Sequence, residues 1–295
     1  MITISRRAFV ATALAGSAAL AWPRLAGAAS ATTPSRIVSI GGSLTEIVFA
    51  LGAGDRLVAR DTTSTYPPEA TRLPDTGYIR ALSPEGVLSV NPDLILVLEG
   101  AGPPEALSVL EQAGIPLTTV PDGYDRQAII GKVHAVGEAI GEQEKAAALA
   151  SRLDADLGAA EAAADAVTER RKVLFVLSLQ NGRVMAAGAN SHANSIITMA
   201  GGENAMAGIS GYKPVSDEAI LAAAPDLILM MTGAGDHAAG DADVLAQPAI
   251  AQTPAGKAGR IIRMDGMYLL GFGPRTPDAI RDLHSALYKP ASHTE

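Results

Sequence analysis

The chain has no cysteine, and its 295 residues include one Trp, four Phe and six Tyr. Without cysteine there is no disulfide, no thiolate metal site, no thiol nucleophile and no N-terminal Cys to carry a lipid. With so few rings, any core is built from Ala, Val, Leu and Ile. Positive charge is also scarce, with 23 Lys and Arg against 31 Asp and Glu and a formal net charge of −8. A phosphate backbone rewards clustered Lys and Arg, and no cluster appears, so nucleic acid is excluded as a partner. The five histidines, His134, His192, His237, His284 and His293, are scattered without metal-site spacing. Catalytic signatures are missing as well. There is no GxSxG elbow, no HExxH helix, no P-loop and no full dinucleotide fingerprint, and Ser210 in Gly-Ile-Ser-Gly-Tyr lacks the esterase pattern. An enzyme is therefore the weaker expectation and a binding protein the stronger.

What is present begins with a targeting segment. Ser5-Arg6-Arg7-Ala8-Phe9-Val10 is a twin-arginine pattern, followed by an apolar run from Ala11 to Trp22 and the small residues Ala26-Gly27-Ala28-Ala29. The run is too short to span a bilayer comfortably. The expectation is a leader over residues 1–28, cleaved near Ala28, and an exported periplasmic protein without a membrane anchor. Either the twin-arginine or the general route fits.

The remainder is organised by an internal repeat. Residues 215–230, VSDEAILAAAPDLILM, align without a gap on residues 82–97, LSPEGVLSVNPDLILV, at an offset of 133. Ser83 matches Ser216, Glu85 matches Glu218, and Pro92-Asp93-Leu94-Ile95-Leu96 matches Pro225-Asp226-Leu227-Ile228-Leu229. Two lobes built alike follow. In each, strand and helix signals alternate, as in a parallel α/β sheet. The reading places the first lobe at 36–125, a helical region at 126–170, the second lobe at 171–290 and a tail at 291–295. Within the helical region, Glu142 to Thr168 holds no Pro and only Gly158. Some 27 helical residues would span about 40 Å, enough to run along both lobes, although an ordinary amphipathic helix on one lobe fits the same residues. Gly41-Gly42-Ser43 after the first strand reads as a tight strand-to-helix turn with Ser43 or Thr45 as cap. As an anion cradle it lacks the P-loop Lys.

The loop DTTSTYPPEATRLPDTGYIRALSPEG, rich in proline, tyrosine and hydroxyls, is where function is expected. It carries Tyr66, Tyr78 and Arg80. Two similar α/β lobes joined by a long helix and exported resemble the substrate-binding proteins of ABC importers for haem, cobalamin and ferric siderophores. The stretches TSTYPPEATRLPDTGYIRALSPEGVLSVNPDL, AAGANS at 186–191, GYKPVSDEAI and LLGFGPRTP resemble those of the periplasmic haem-binding proteins in particular. The resemblance covers nearly all of residues 36–290.

It implies haem as the transported ligand, Tyr78 as the haem iron ligand and Arg80 as its neighbour or as a propionate contact. The chemistry agrees, since ferric iron is a hard Lewis acid that favours a phenolate, and a guanidinium beside it favours the same form. Tyr66 ranks second because it precedes Pro67 and lacks an Arg at the same spacing. Some relatives add a histidine in the turn after the second lobe's first strand. Here that turn is Ser178-Leu179-Gln180-Asn181-Gly182, so the expected iron is five-coordinate or completed by water. Lys213, Arg183 and Arg275 are further propionate candidates, Arg275 also fitting a plain helix start. The resemblance also implies that Glu85 and Glu218 dock into basic pockets of an inner-membrane ABC permease dimer with its ATPase, and that the protein is a monomer. Both glutamates also suit their helix starts electrostatically. Cobalamin or a ferric siderophore is the nearer alternative ligand, and an exported enzyme the more distant reading.

Overall fold

The computed structural model describes residues 33–180, 182–232 and 239–288. The expected leader at 1–28, the tail at 291–295, His237 and His293 lie outside them. The first lobe starts with strand β1 (Ile37–Ile40), helix α1 (Gly42–Ala50) and strand β2 (Leu57–Arg60). After a long loop come α2 (Pro84–Ser89), β3 (Leu94–Leu98), α3 (Pro104–Gln112) and β4 (Leu117–Val120). The strands form a parallel sheet in the order β2-β1-β3-β4. All four residues of β1 are buried, as expected for a strand covered on both faces.

Helices α4 (Arg126–Ile140) and α5 (Gln143–Asp165) follow. Gly137 lies inside α4. Gly141 ends that helix in the left-handed conformation, at φ 77°. The expected 27-residue helix is 23 residues long, about 35 Å at 1.5 Å per residue. Its buried stripe is divided between two cores. Ala146, Leu149, Ala150 and Leu153 pack into the core of the first lobe with Ile37, Leu44 and Leu96. Leu157 and Ala160 pack into the core of the second with Phe175, Leu229 and Leu283.

The second lobe continues with β5 (Lys172–Gln180), β6 (Arg183–Ala187), α6 (His192–Met199), β7 (Glu203–Asn204), β8 (Tyr212–Val215), α7 (Asp217–Ala223) and β9 (Leu227–Thr232). Three short helices, α8 (Asp241–Leu245), α9 (Pro248–Gln252) and α10 (Pro254–Lys257), lead to β10 (Ile261–Asp265), α11 (Gly266–Leu270) and α12 (Thr276–Tyr288). The sheet order is β10-β9-β5-β6-β8, with β7 beside β5. Strands β10, β9, β5 and β7 are parallel and repeat the first lobe's pattern. To this parallel core the second sheet adds two strands. Strand β6 pairs antiparallel with both β5 and β8, because β5 runs on to Gln180 and turns back as a hairpin.

The repeated Pro-Asp has a structural purpose. Asp93 accepts hydrogen bonds from the N–H groups of Ser35 and Arg36, at 2.8 Å each, just before β1. Asp226 accepts one from the N–H of Lys172 at 2.8 Å, at the start of β5. Each carboxylate ties the strand that follows it to the central strand of its own lobe.

Candidate functional site

The loops at the carboxyl ends of the strands meet across the cleft between the lobes, where ligands bind in open α/β sheets. In the first lobe the loop after β2 is folded around Asp61, which is fully buried. Its carboxylate accepts from the N–H of Gly41 at 3.0 Å, the N–H of Thr63 at 2.9 Å and the hydroxyls of Thr63 and Ser64 at 2.7 Å each. The anion site conceivable at Gly41-Gly42-Ser43 is thus filled by the chain's own carboxylate. No side chain caps α1. Gly41 occupies the cap position in place of the expected Ser43 or Thr45.

Further along the loop, Asp75 pairs with Arg60 at 2.7 Å and accepts from Thr62 at 3.1 Å and from the N–H of Gly77 at 2.8 Å. Gly77 has φ 101°, a conformation that L side chains rarely adopt, and it aims the next residue, Tyr78, outward. Tyr78 is 44% exposed. Arg80 Nη1 donates to the Tyr78 hydroxyl at 3.2 Å. The N–H of Ala81 bonds to the carbonyl of Tyr78 at 2.7 Å, and the resulting turn brings guanidinium and phenol together.

The second lobe offers a counterpart that the sequence reading overlooked. Gly211, with φ 69°, precedes Tyr212, as Gly77 precedes Tyr78. Tyr212 is 37% exposed, and its ring meets Phe175 edge-on at 6.3 Å. Burial raises the pKa of its phenol, while the N–H of Ala193, the charge of Arg80 and the hydroxyl of Ser191 lower it. Arg80 on one lobe is therefore close enough to Tyr212 on the other for its charge to act there. The repeated Gly-Tyr pair was the signal available for finding it.

Of the other candidates, Lys213 follows Tyr212 on β8, so strand alternation turns it to the opposite face. Arg183 is exposed at the start of β6. Tyr66 is 41% exposed, but the Arg275 guanidinium lies over its ring, 3.7 Å from the centroid. Arg275 also pairs with Glu46 of α1, Nε to Oε2 at 3.0 Å and Nη2 to Oε1 at 2.5 Å. Glu85 and Glu218 are exposed in the first turns of α2 and α7, whose caps Ser83 and Ser216 each accept a backbone N–H at 3.3 Å. His192, one of the scattered histidines, stands at the start of α6. Its Nε2 lies 3.3 Å from Asp122 Oδ2, and its ring meets Tyr124 at 5.4 Å and Phe272 at 5.0 Å.

Among the described residues no group of three or more His, Asp or Glu is arranged to hold a bare metal ion. No described helix is long and apolar enough to cross a membrane. A cavity of about 590 Å³, lined in part by Arg170, Arg171, Asp226, His284 and Tyr288, lies at the amino ends of β5 and β9, opposite the cleft edge.

Residues 37–268 match the periplasmic binding protein family. The chain belongs to that family. As a member it is the substrate-binding protein of an ABC transporter, not an enzyme, and its partners are the permease and ATPase of that transporter. Solved members of similar structure include the periplasmic heme-binding protein BhuT in complex with two hemes. It is 42% identical with a TM-score of 0.81, over 85% of this chain and 97% of that one. The periplasmic heme-binding protein RhuT from Roseiflexus sp. RS-1 is also 42% identical with a TM-score of 0.82, over 86% and 98%. An uncharacterised ABC transporter substrate-binding lipoprotein, YvrC of Bacillus subtilis, is 28% identical over 86% of this chain and 80% of its own. A vitamin B12-binding protein of Vibrio campbellii is 26% identical over 65% and 69%.

Proposed function

We propose that the protein is an exported periplasmic carrier that holds haem between its lobes through Tyr78 and presents it to a dimeric ABC permease by way of Glu85 and Glu218. The observation that carries the reading is the Tyr78 hydroxyl, open to the cleft with Arg80 Nη1 donating to it at 3.2 Å. A phenol held against a guanidinium is prepared to bind ferric iron as phenolate, because the cation stabilises the charge that forms when the proton leaves. Haem offers iron at the centre of an apolar disc, which suits an exposed phenol between aliphatic lobes better than a site for a bare cation would. The similarity to haem-binding proteins supports the ligand, and the Gly77-Tyr78-Ile79-Arg80 segment supports the residue. Cleavage near Ala28 belongs to the same proposal.

Cobalamin is the second reading, favoured by the similarity to vitamin B12-binding proteins. Its cobalt arrives already ligated, so it has no use for the Tyr78 phenolate. Titration of the purified protein with hemin and, in parallel, with cyanocobalamin separates the two. Expected are a Soret shift and a phenolate-to-iron charge-transfer band with hemin, both lost in Tyr78→Phe. Saturable binding of cyanocobalamin without a hemin spectrum would overturn the reading.

A further inference from the structure

Both lobes contribute to a strip of contacts along their seam, and the strip converges on one loop, Gly271-Phe272-Gly273-Pro274-Arg275, between α11 and α12. Phe272 is fully buried and supports the His192 ring. Gly273 lies against α1 so closely that a Cβ there would stand 3.3 Å from Ser43 Cβ and 3.4 Å from Ser43 Cα. Arg275 reaches across to the first lobe through the two-point pair with Glu46 and the face of Tyr66, while Tyr268 of its own lobe lies 5.2 Å from the guanidinium. On the other side of Ser43, Lys132 on α4 is fully buried and donates to Ser43 Oγ at 3.4 Å and to Asp122 Oδ1 at 2.8 Å. The second oxygen of Asp122 faces His192 of the second lobe.

We infer that Glu46–Arg275 and Asp122–His192 are interlobe clasps that set the distance between the Tyr78 wall and the Tyr212 wall, and that Arg275 is a positioning residue, not a ligand contact. A guanidinium that pairs in parallel with one carboxylate has used its best hydrogen-bonding edge. To turn it toward a ligand would strand the Glu46 carboxylate, whose side chain is 5% exposed. Burial already raises the pKa of Glu46 against the opposing pull of Arg275, so the glutamate depends on its partner. The long helix α5 holds the two cores at a fixed spacing, and the clasps hold the rims.

The test uses the absence of cysteine. Ser89 and Ala222 are exposed, sit on α2 and α7, and correspond at the repeat offset, so Ser89→Cys and Ala222→Cys introduce the only thiols for a spin-label pair. Pulsed EPR distances in the unliganded protein should form one narrow distribution in this parent and a broader one in Arg275→Gln, in Glu46→Gln and in Asp122→Asn. The double variant Glu46→Gln/Arg275→Gln should broaden no further than either single change, because each acts through the other. Distributions identical to the parent in Arg275→Gln and Asp122→Asn overturn the inference. Should Arg275→Gln fail to fold, Asp122→Asn alone decides it.

A second arm rests on the haem reading. Hemin and hemin dimethyl ester, which lacks propionate charge, should both bind Arg275→Gln about tenfold more weakly than the parent. A loss confined to hemin would make Arg275 a propionate contact and overturn the inference. If the parent binds neither, the proposed function fails and the distance measurements still decide the clasps.

Discussion

The two lobes share a strand order and a Gly-Tyr pair, yet they surround the tyrosine differently. In the first lobe, Tyr78 stands on a loop pinned by the Arg60–Asp75 pair, and the hydrogen-bond partner of its hydroxyl is a cation, Arg80. In the second, Tyr212 stands on the edge strand β8, and its phenol is served by Ser191 and Ala193 at the start of α6. A loop can aim a side chain into a cleft, whereas a strand fixes its direction by alternation. The duplicated framework has therefore specialised, with one wall setting a cation beside the phenol oxygen and the other holding its phenol against the start of α6. Exchanging the tyrosines for phenylalanine should separate these roles. Tyr78→Phe is expected to weaken hemin binding by about 100-fold or more and to abolish the charge-transfer band, as loss of a metal ligand does. Tyr212→Phe should cost less than about tenfold, the worth of one hydrogen bond, and leave the band in place. Equal losses would erase the distinction between the lobes.

Where the lobes match most closely, at the starts of α2 and α7, the comparison can be sharpened in the other direction. Glu85 and Glu218 occupy equivalent positions in the two lobes, and in the proposed docking each meets one half of a dimeric permease. Glu85→Gln and Glu218→Gln should each lower uptake by about tenfold through weaker docking, and the double variant by about 100-fold, with hemin binding unchanged in all three. Transport in reconstituted vesicles measures the first effect and a spectral titration the second. Uptake unaffected in the double variant would remove both glutamates from the interface.

The seam gives a smaller effect with a defined pH dependence. Burial raises the Asp122 pKa, but the hydrogen bond from His192 and the charge and hydrogen bond of Lys132 outweigh it and hold the carboxyl well below the usual aspartate range. A carboxylate with a depressed folded-state pKa adds stability above its ordinary pKa and loses it as pH falls from there toward the folded value. Asp122→Asn should therefore be less stable than the parent by about 2 kcal/mol at neutral pH. The gap should close progressively as pH is lowered below about 4. Urea denaturation at stepped pH measures it, and a gap independent of pH would mean that the carboxylate charge is not what holds the seam.

Much of this architecture was legible in the chain because it rests on local pattern. The alternation of apolar strands with capped helices, and the repeated Pro-Asp-Leu-Ile-Leu, are short-range signals, and they led to two lobes and to the equivalence of β3 with β9. The long helix was legible as a helix, but its division between two cores was not, since Leu153 and Leu157 look alike in sequence and differ only in what they touch. The hairpin of β5 and β6 was hidden by its own continuity, a strand longer than its apolar run. The Tyr78–Arg80 pair was named by the resemblance of its segment to the haem-binding proteins, and its members are only two residues apart. Glu46 and Arg275 are separated by 229 residues, and nothing in either neighbourhood announces the other. Arg275 read as a propionate candidate or a helix-start cation, and only the fold reveals the buried carboxylate opposite it. His192 lacks metal-like spacing, which says nothing of Asp122.

The smallest difference between the lobes concerns the caps. Ser83 Oγ accepts from the N–H of Gly86 and Ser216 Oγ from the N–H of Ala219, both at 3.3 Å, so the two helix starts have the same geometry. Removal of either hydroxyl should cost about 1 kcal/mol, the ordinary worth of a serine cap. Ser83→Ala and Ser216→Ala are thus expected to lower the melting temperature equally. Transport should tell them apart. The Glu218 carboxyl is held below its ordinary pKa by its own backbone N–H and then by the Ser216 hydroxyl, so in the proposed docking this serine also orients the charge offered to the permease. Ser216→Ala should reduce uptake more than Ser83→Ala at equal loss of stability, and Ser216→Thr, which keeps a hydroxyl, should recover it. If uptake follows melting temperature alone in all three variants, the serines are caps and nothing more, and the repeat from Ser83 and Ser216 onward reflects helix formation, not docking.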